Sequence, residues 1–209
     1  MQKAVILDFI GIIADIKFVK LFSYLTIPEK FKALRIYVSM FKHKEIKQAF
    51  NKYQTGEYDY YDMYNALELF CPNACCILPR VLEALSNSIV VNEQVLDLVY
   101  NLRKSGIKII VISNSIPETQ IAMDRYDLSQ VFDGVILSHH LGIKKPSDEI
   151  YKYAINEFDL NPNKTLMIDD TKRNLEAAKK FGINTLNLTN TNQVRRFLEQ
   201  INSKINLCL

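Results

Sequence analysis

The sequence predicts an α/β protein: a mostly parallel sheet with helices on both faces, and an all-helical segment inserted after the first strand. Three observations predict it. From Val95 onward, β-branched runs and amphipathic stripes alternate in a regular strand-helix order, a pattern that yields parallel strands joined by helices. The apolar run Ala4-Val5-Ile6-Leu7 adds a further buried strand near the start. Between the two lie roughly 75 residues of helical character with no convincing strand pair, too many for a plain loop. Together these define a Rossmann-like core, residues 1–15 and 92–209, carrying a helical cap over 16–91.

The elements follow in order. After the strand at 4–7, the cap reads as helices over 27–41, 44–52, 60–70 and 78–87. A helix over 94–104 carries Val95, Leu98, Val99 and Leu102 on one stripe and stops at Ser105-Gly106. A β-branched strand over 107–112 follows, then a helix at 119–126 and a short strand at 134–137. Pro146 opens a helix over 147–158. A strand at 165–168, a helix at 173–181 closed by Gly182, a strand at 184–188 and a helix near 194–201 complete the series.

Composition narrows the function. With 209 residues and 48% hydrophobic content, the chain can bury a real core. A charge of +3 and a pI near 8.5 fall short of a dedicated nucleic-acid binder. No apolar run reaches the length of a membrane span. The apolar stretch 4–13 is broken by Asp8 and lacks a basic leader and a small-residue cleavage site. The expectation is a cytoplasmic protein with neither nucleic-acid nor membrane partners.

Cys71, Cys75, Cys76 and Cys208 do not form a metal knuckle, because no second Cys or His pair follows at ligand spacing. They read as small buried hydrophobes. The cap is basic over 16–52, with nine Lys or Arg against Glu29 and Glu45, then acidic at Glu57, Asp59, Asp62 and Glu68. Solvated helix faces explain both runs, although a basic lip also steers anionic substrates. Tyr53, Tyr58, Tyr60, Tyr61 and Tyr64 read as packing within the cap.

Chemistry collects at the carboxyl ends of the expected strands, where open α/β sheets place their ligands. Asp8 ends the first strand, and a carboxylate there needs a metal or a cation. Ser113-Asn114 ends the strand at 107–112 and offers a hydroxyl and backbone N–H groups to an anionic oxygen. Gly142-Ile143-Lys144-Lys145-Pro146 brings a lysine able to neutralise phosphate and pair with a carboxylate. Asp169-Asp170 ends the strand at 165–168, with Asn174 on the following turn. Adjacent carboxylates repel unless a cation compensates, and oxygen-only ligands point to Mg²⁺.

In order and placement, Asp8, Ser113, Lys145 and Asp169-Asp170 resemble the four motifs of the haloacid dehalogenase superfamily, with a C1-type helical cap after the first motif. Asp15 also stands where many members have an aspartate. Gly56-Glu57, the stretch Leu141-Gly142-Ile143-Lys144-Lys145-Pro146, and Asp169-Asp170 with Asn174 resemble one branch of it. That branch holds the sugar-1-phosphate phosphatases and the N-terminal phosphatase domain of epoxide hydrolases. The resemblance implies Mg²⁺-dependent hydrolysis of a small phosphorylated metabolite through an aspartyl-phosphate. Asp8 is then the nucleophile and a metal ligand. Ser113 and the Asn114 amide bind phosphoryl oxygens, and Lys145 screens them while orienting Asp8. Asp170 is the direct metal ligand, with Asp169 coordinating or supporting, and the Ile10 backbone carbonyl is a further metal contact.

One part departs from the pattern. Most phosphatases of the family carry an aspartate at position 10, which protonates the leaving alcohol and activates water; here it is Ile10. Such acid/base catalysis is typically worth about 10²–10⁴-fold in rate. The expectation is a phosphohydrolase that is slow or selective for acidic leaving groups. Two alternatives stand beside it. One is a phospholigand-binding regulatory protein on the same scaffold. The other is a 2-haloacid dehalogenase, against which the Asp169-Asp170 pair argues.

Overall fold

The structure is a computed structural model describing residues 3–126, 128 and 131–206. In chain order, β1 (Ala4–Leu7) and a short β2 (Ala14–Ile16) lead into six helices. These are α1 (Phe18–Ser23), α2 (Ile27–Lys42), α3 (Lys44–Gln54), α4 (Tyr60–Glu68), α5 (Pro72–Cys75) and α6 (Leu78–Ser88). Next come β3 (Ile89–Val91), α7 (Glu93–Lys104), β4 (Lys108–Ser113), α8 (Pro117–Asp124), β5 (Gly134–Leu137) and α9 (Ser138–Leu141). The chain continues with α10 (Asp148–Glu157), β6 (Thr165–Asp169), α11 (Lys172–Lys179), β7 (Asn184–Asn187) and α12 (Thr191–Asn206).

Five strands form one sheet in the order β5-β4-β1-β6-β7, every neighbouring pair parallel. Because strand side chains alternate between faces, Val5 and Leu7 join one apolar cluster while Ala4 and Ile6 join another. Val95, Val99 and Leu102 of α7, with Val194 and Leu198 of α12, cover the first face. Ile150, Tyr151 and Ala154 of α10, with Leu175, Ala177 and Ala178 of α11, cover the second. A sheet buried on both faces explains why its central strands read as continuous apolar runs.

Register aligns the strand ends. Leu7 lies opposite Val111 of β4 and Ile168 of β6. Asp8, Ser113 and Asp169 therefore leave the sheet within one residue step of each other.

The six helices between β2 and β3 share a third apolar cluster, which includes Ile36, Ile46, Tyr53, Met63, Leu67, Cys71 and Cys75 and reaches Ile116 at the start of α8. Two expectations change here. β2 and β3 form an antiparallel pair, with Asp15 opposite Val90, at the entrance and exit of the helical layer. Three residues per strand are too few to show alternation in a sequence. Cys71 and Cys75 are buried and free as expected, but Cys76 is exposed. Cys208 lies outside the described residues. Boundaries also move: β4 takes in Ser113, β6 takes in Asp169, and α8 starts at Pro117, whose fixed φ suits a first helical turn.

Candidate active site

The site is built on a lysine enclosed by carboxylates. Lys145 is buried, yet its Nζ donates to Asp8 Oδ1 at 2.9 Å and to Asp169 Oδ2 at 2.7 Å. Burial alone would lower the lysine pKa, but the two carboxylates outweigh it and hold the ammonium charged. Asn114 fixes the lysine's backbone reciprocally. Its Nδ2 donates to the Lys145 carbonyl at 2.8 Å, and the Lys145 N–H donates to its Oδ1 at 2.7 Å. The neighbouring Lys144 is engaged elsewhere, donating to Asn51 at 2.6 Å and Gln54 at 2.8 Å on the helical layer.

Asp8 continues the sheet by donating its N–H to the Ile168 carbonyl at 3.0 Å. Its Oδ1 accepts from the Phe9 N–H at 2.7 Å as well as from Lys145. Oδ2 takes no hydrogen bond among the described residues. Burial raises the Asp8 pKa to about 6, with Lys145 opposing the rise and Asp169 adding to it. A further cation nearby would bring it down again.

Beyond Asp8 the chain turns sharply. The Phe9 carbonyl accepts from Ile13 and Ala14, both at 2.9 Å, and Gly11 donates to the Ala14 carbonyl at 2.7 Å. Gly11 has φ +92°, and a Cβ there would stand 2.7 Å from Asp170 Oδ2. Both facts demand glycine. Ile10 sits inside this turn, its side chain packed against the core. Its carbonyl takes no hydrogen bond among the described residues.

The two adjacent aspartates differ. Asp169 is fully buried. Its oxygens take Lys145, the Thr171 N–H at 2.8 Å, and Asn174 Nδ2 at 3.1 Å from each oxygen. Asn174 is held in turn by Tyr151, whose hydroxyl donates to its carbonyl at 2.8 Å. Asp170 accepts from the Thr171 hydroxyl at 3.0 Å and otherwise opens toward Gly11. Asn187 at the end of β7 donates to both backbone carbonyls, at 3.0 and 2.9 Å. Tyr151, Thr171 and Asn187 carry no sequence signal as site residues, because their roles arise only from the packing of α10, α11 and β7 around β6.

Carboxylate oxygens of Asp8, Asp169 and Asp170 lie within 4.8 Å of one another. Three carboxylates against one buried ammonium leave an excess of two negative charges. An oxygen-only donor set of that charge fits a divalent hard cation such as Mg²⁺. Asp169 has little acceptor capacity left, whereas Asp8 and Asp170 keep carboxylate oxygens with few partners. Asp15 stands apart: it pairs with Lys17 at 3.0 Å and accepts from Thr191 at 3.3 Å. Ser113 is buried at the end of β4, one step beyond the level of Asp8.

The helical layer closes over these strand ends through specific bonds. Tyr53 of α3 donates its hydroxyl to buried Glu118, with oxygens at 3.0 and 3.1 Å. Ser138 donates to the Gln54 carbonyl at 2.6 Å. Beneath that layer, between the segments that follow β4 and β5, Ser115 shares a hydrogen with His139 Nδ1 at 2.8 Å.

A parallel sheet whose strand ends gather a lysine and three carboxylates defines an α/β protein with a charged, oxygen-rich site at the carboxyl edge of its sheet. Residues 2–182 match the model of the haloacid dehalogenase-like hydrolases, and the chain belongs to that family. The bifunctional epoxide hydrolase 2 of Rattus norvegicus is 28% identical over 116 residues, 53% of this chain and 21% of that protein. A D-ribitol-5-phosphate phosphatase of Bacteroides thetaiotaomicron is 30% identical over 97 residues, 43% of this chain and 47% of the relative. The chain thus matches under half the length of either. A family enzyme of B. thetaiotaomicron shares the fold at a TM-score of 0.73 and 17% identity, over 89% of this chain and 93% of that one. The same enzyme has a structure with magnesium and inorganic phosphate bound, at a TM-score of 0.68. Phosphatases are among the relatives of this family member.

Proposed function

We propose that this hydrolase cleaves a small phosphomonoester, with Asp8 attacking phosphorus to form an aspartyl-phosphate that water then hydrolyses. The observation that carries the reading is buried Lys145 held between Asp8 and Asp169, with Asp170 left open beside Gly11. In this reading residues 1–15 and 92–209 form the catalytic core, and 16–91 the cap that selects the substrate. Asp8 and Asp170, with the Ile10 carbonyl, would hold Mg²⁺, which would supply charge neutralisation of the phosphoryl group. Lys145 fixes Asp8 through Oδ1, leaving Oδ2 to attack. Its ammonium also screens the phosphoryl oxygens, and Ser113 with the Asn114 amide binds them. Asp169 positions Lys145. The Asn114 side chain has the same task from the backbone side.

Ile10 sets the leaving-group preference. With no acid at that position, esters that expel a stable anion, such as aryl or anomeric phosphates, lose least. A phospholigand-binding role without turnover is the second reading, and Ile10 alone favours it. The test is hydrolysis of para-nitrophenyl phosphate with and without Mg²⁺, beside an Asp8→Asn control. Mg²⁺-dependent turnover absent from the control supports the enzyme. Tight phosphate-ester binding with no turnover above the control selects the second reading.

A further inference from the structure

Helix α2 is apolar on two opposite sides. Ala33, Ile36 and Ser39 face inward and are buried. On the other side Ile27, Phe31, Leu34, Val38 and Phe41 recur at spacings of four and three residues, with exposures from 36% at Val38 to 75% at Phe41. At ~100° per residue, these five lie within about 80° of arc centred opposite Ile36. Tyr37, also exposed, packs edge-on against Phe41 with ring centroids 4.9 Å apart. Together the six leave on the order of 700 Å² of side-chain surface in water, above the ~300–600 Å² of the largest patch on a typical monomer.

Charge decides the occupant. Lys30, Arg35 and Lys42 flank the stripe on both sides. The one acid of α2, Glu29, is committed to Thr26 at 2.8 Å and Arg80 at 3.1 Å. A second copy seated on this face would set lysine and arginine against their like, which is destabilising. We propose instead that the outward face of α2 docks on an anionic phospholipid surface. The aromatic and aliphatic side chains enter the interface while the flanking cations reach lipid phosphates.

Two further features favour a broad anionic surface over a single acidic helix. Residues 16–52 hold nine Lys or Arg against two acids in a chain of net charge +3, so the remainder is net acidic and the molecule is electrically polarised. In addition α1, three residues before α2, exposes Phe18, Val19 and Phe22. These add exposed apolar surface to the same basic segment. The expectation of no membrane contact rested on the lack of a spanning segment. No described helix is long and apolar enough to cross a bilayer, but a surface contact requires none.

The experiment is co-sedimentation of the full chain with vesicles of phosphatidylcholine alone or mixed with phosphatidylserine. The expected result is binding at least about tenfold stronger to the mixed vesicles, weakened by salt. The double variant Phe31→Glu/Phe41→Glu should lose it while keeping its circular dichroism and its lipid-free thermal melt. The charge variant Lys30→Glu/Arg35→Glu/Lys42→Glu should lose the preference for phosphatidylserine. Binding to neither vesicle, or equal binding to both, overturns the proposal. So does a lipid-free dimer, seen by sedimentation velocity, that the Phe31→Glu/Phe41→Glu change dissolves. Tighter binding to a synthetic Glu-rich helical peptide with leucines at the same spacing overturns it in favour of a protein partner.

Discussion

The strand ends and the outer helix break the usual partition of residues in opposite directions. At the end of β1 the protein buries charge, enclosing Lys145 with Asp8 and Asp169. On α2 it exposes hydrocarbon, with Phe31 and Phe41 in water. The first arrangement is held in place by many partners: Asn114, Thr171, Asn174 and Asn187 bond the lysine or the two aspartates, and Tyr151 holds Asn174. The second has no such support within the described residues. A buried charge survives only where the fold satisfies it, whereas an exposed apolar face costs the isolated fold little. The two regions should therefore respond to substitution on different scales.

The largest effect is expected at Lys145. Lys145→Met leaves two carboxylates buried without their cation, a change worth about 3–5 kcal/mol of stability. Urea unfolding should show it, and phosphatase activity should vanish with it. A loss near zero would mean that the carboxylates are already neutral in the folded protein.

A medium effect with a definite pH dependence is expected at Glu118, the buried acid joining core and helical layer through Tyr53. Burial raises its pKa above 4.5, with the Tyr53 hydroxyl opposing only in part. The folded state therefore favours the protonated form. Stability from this group is present below pH 4.5 and lost as pH rises through the folded value. Glu118→Gln should then be at least as stable as the parent at neutral pH, with the difference gone in acid. Thermal melts across pH check this, and a Gln variant weaker at neutral pH contradicts it.

The smallest effect is expected on the outer helix. Phe41→Glu should change stability in lipid-free buffer by no more than about 0.5 kcal/mol, as exposed substitutions usually do. A large loss would show that this face already packs against something in solution.

The strand ends were legible because their chemistry follows directly from local pattern. Each β-branched run had to end, and Asp8, Ser113 and Asp169-Asp170 stood at the ends. Residue pattern did not separate Asp169 from Asp170, which only the family resemblance ranked, since adjacent aspartates look alike until β6 runs one residue further and turns the first inward. The Asn114 clamp was equally hidden. Its amide reaches Lys145 across 31 residues of sequence, a contact that only the packed fold creates. β2 and β3 escaped notice because three-residue strands have no periodicity to read. The helical segment 27–41 was visible, and so was its charge. Which of its faces met the core depended on helices α3 and α5 packing beneath it.

The central claim is an aspartyl-phosphate on Asp8 in a site whose second step lacks its usual base. Rapid mixing of the Mg²⁺-loaded protein with para-nitrophenyl phosphate tests it most directly. The first step needs no acid for so stable a leaving group, but Ile10 cannot activate the water for the second. The account predicts a burst of nitrophenolate stoichiometric with enzyme, followed by a slow steady rate. Asp8→Asn should remove the burst, and Ile10→Asp should replace it with a steady rate about 10²–10⁴-fold faster. Steady turnover without a burst that is unchanged in Asp8→Asn would contradict the account.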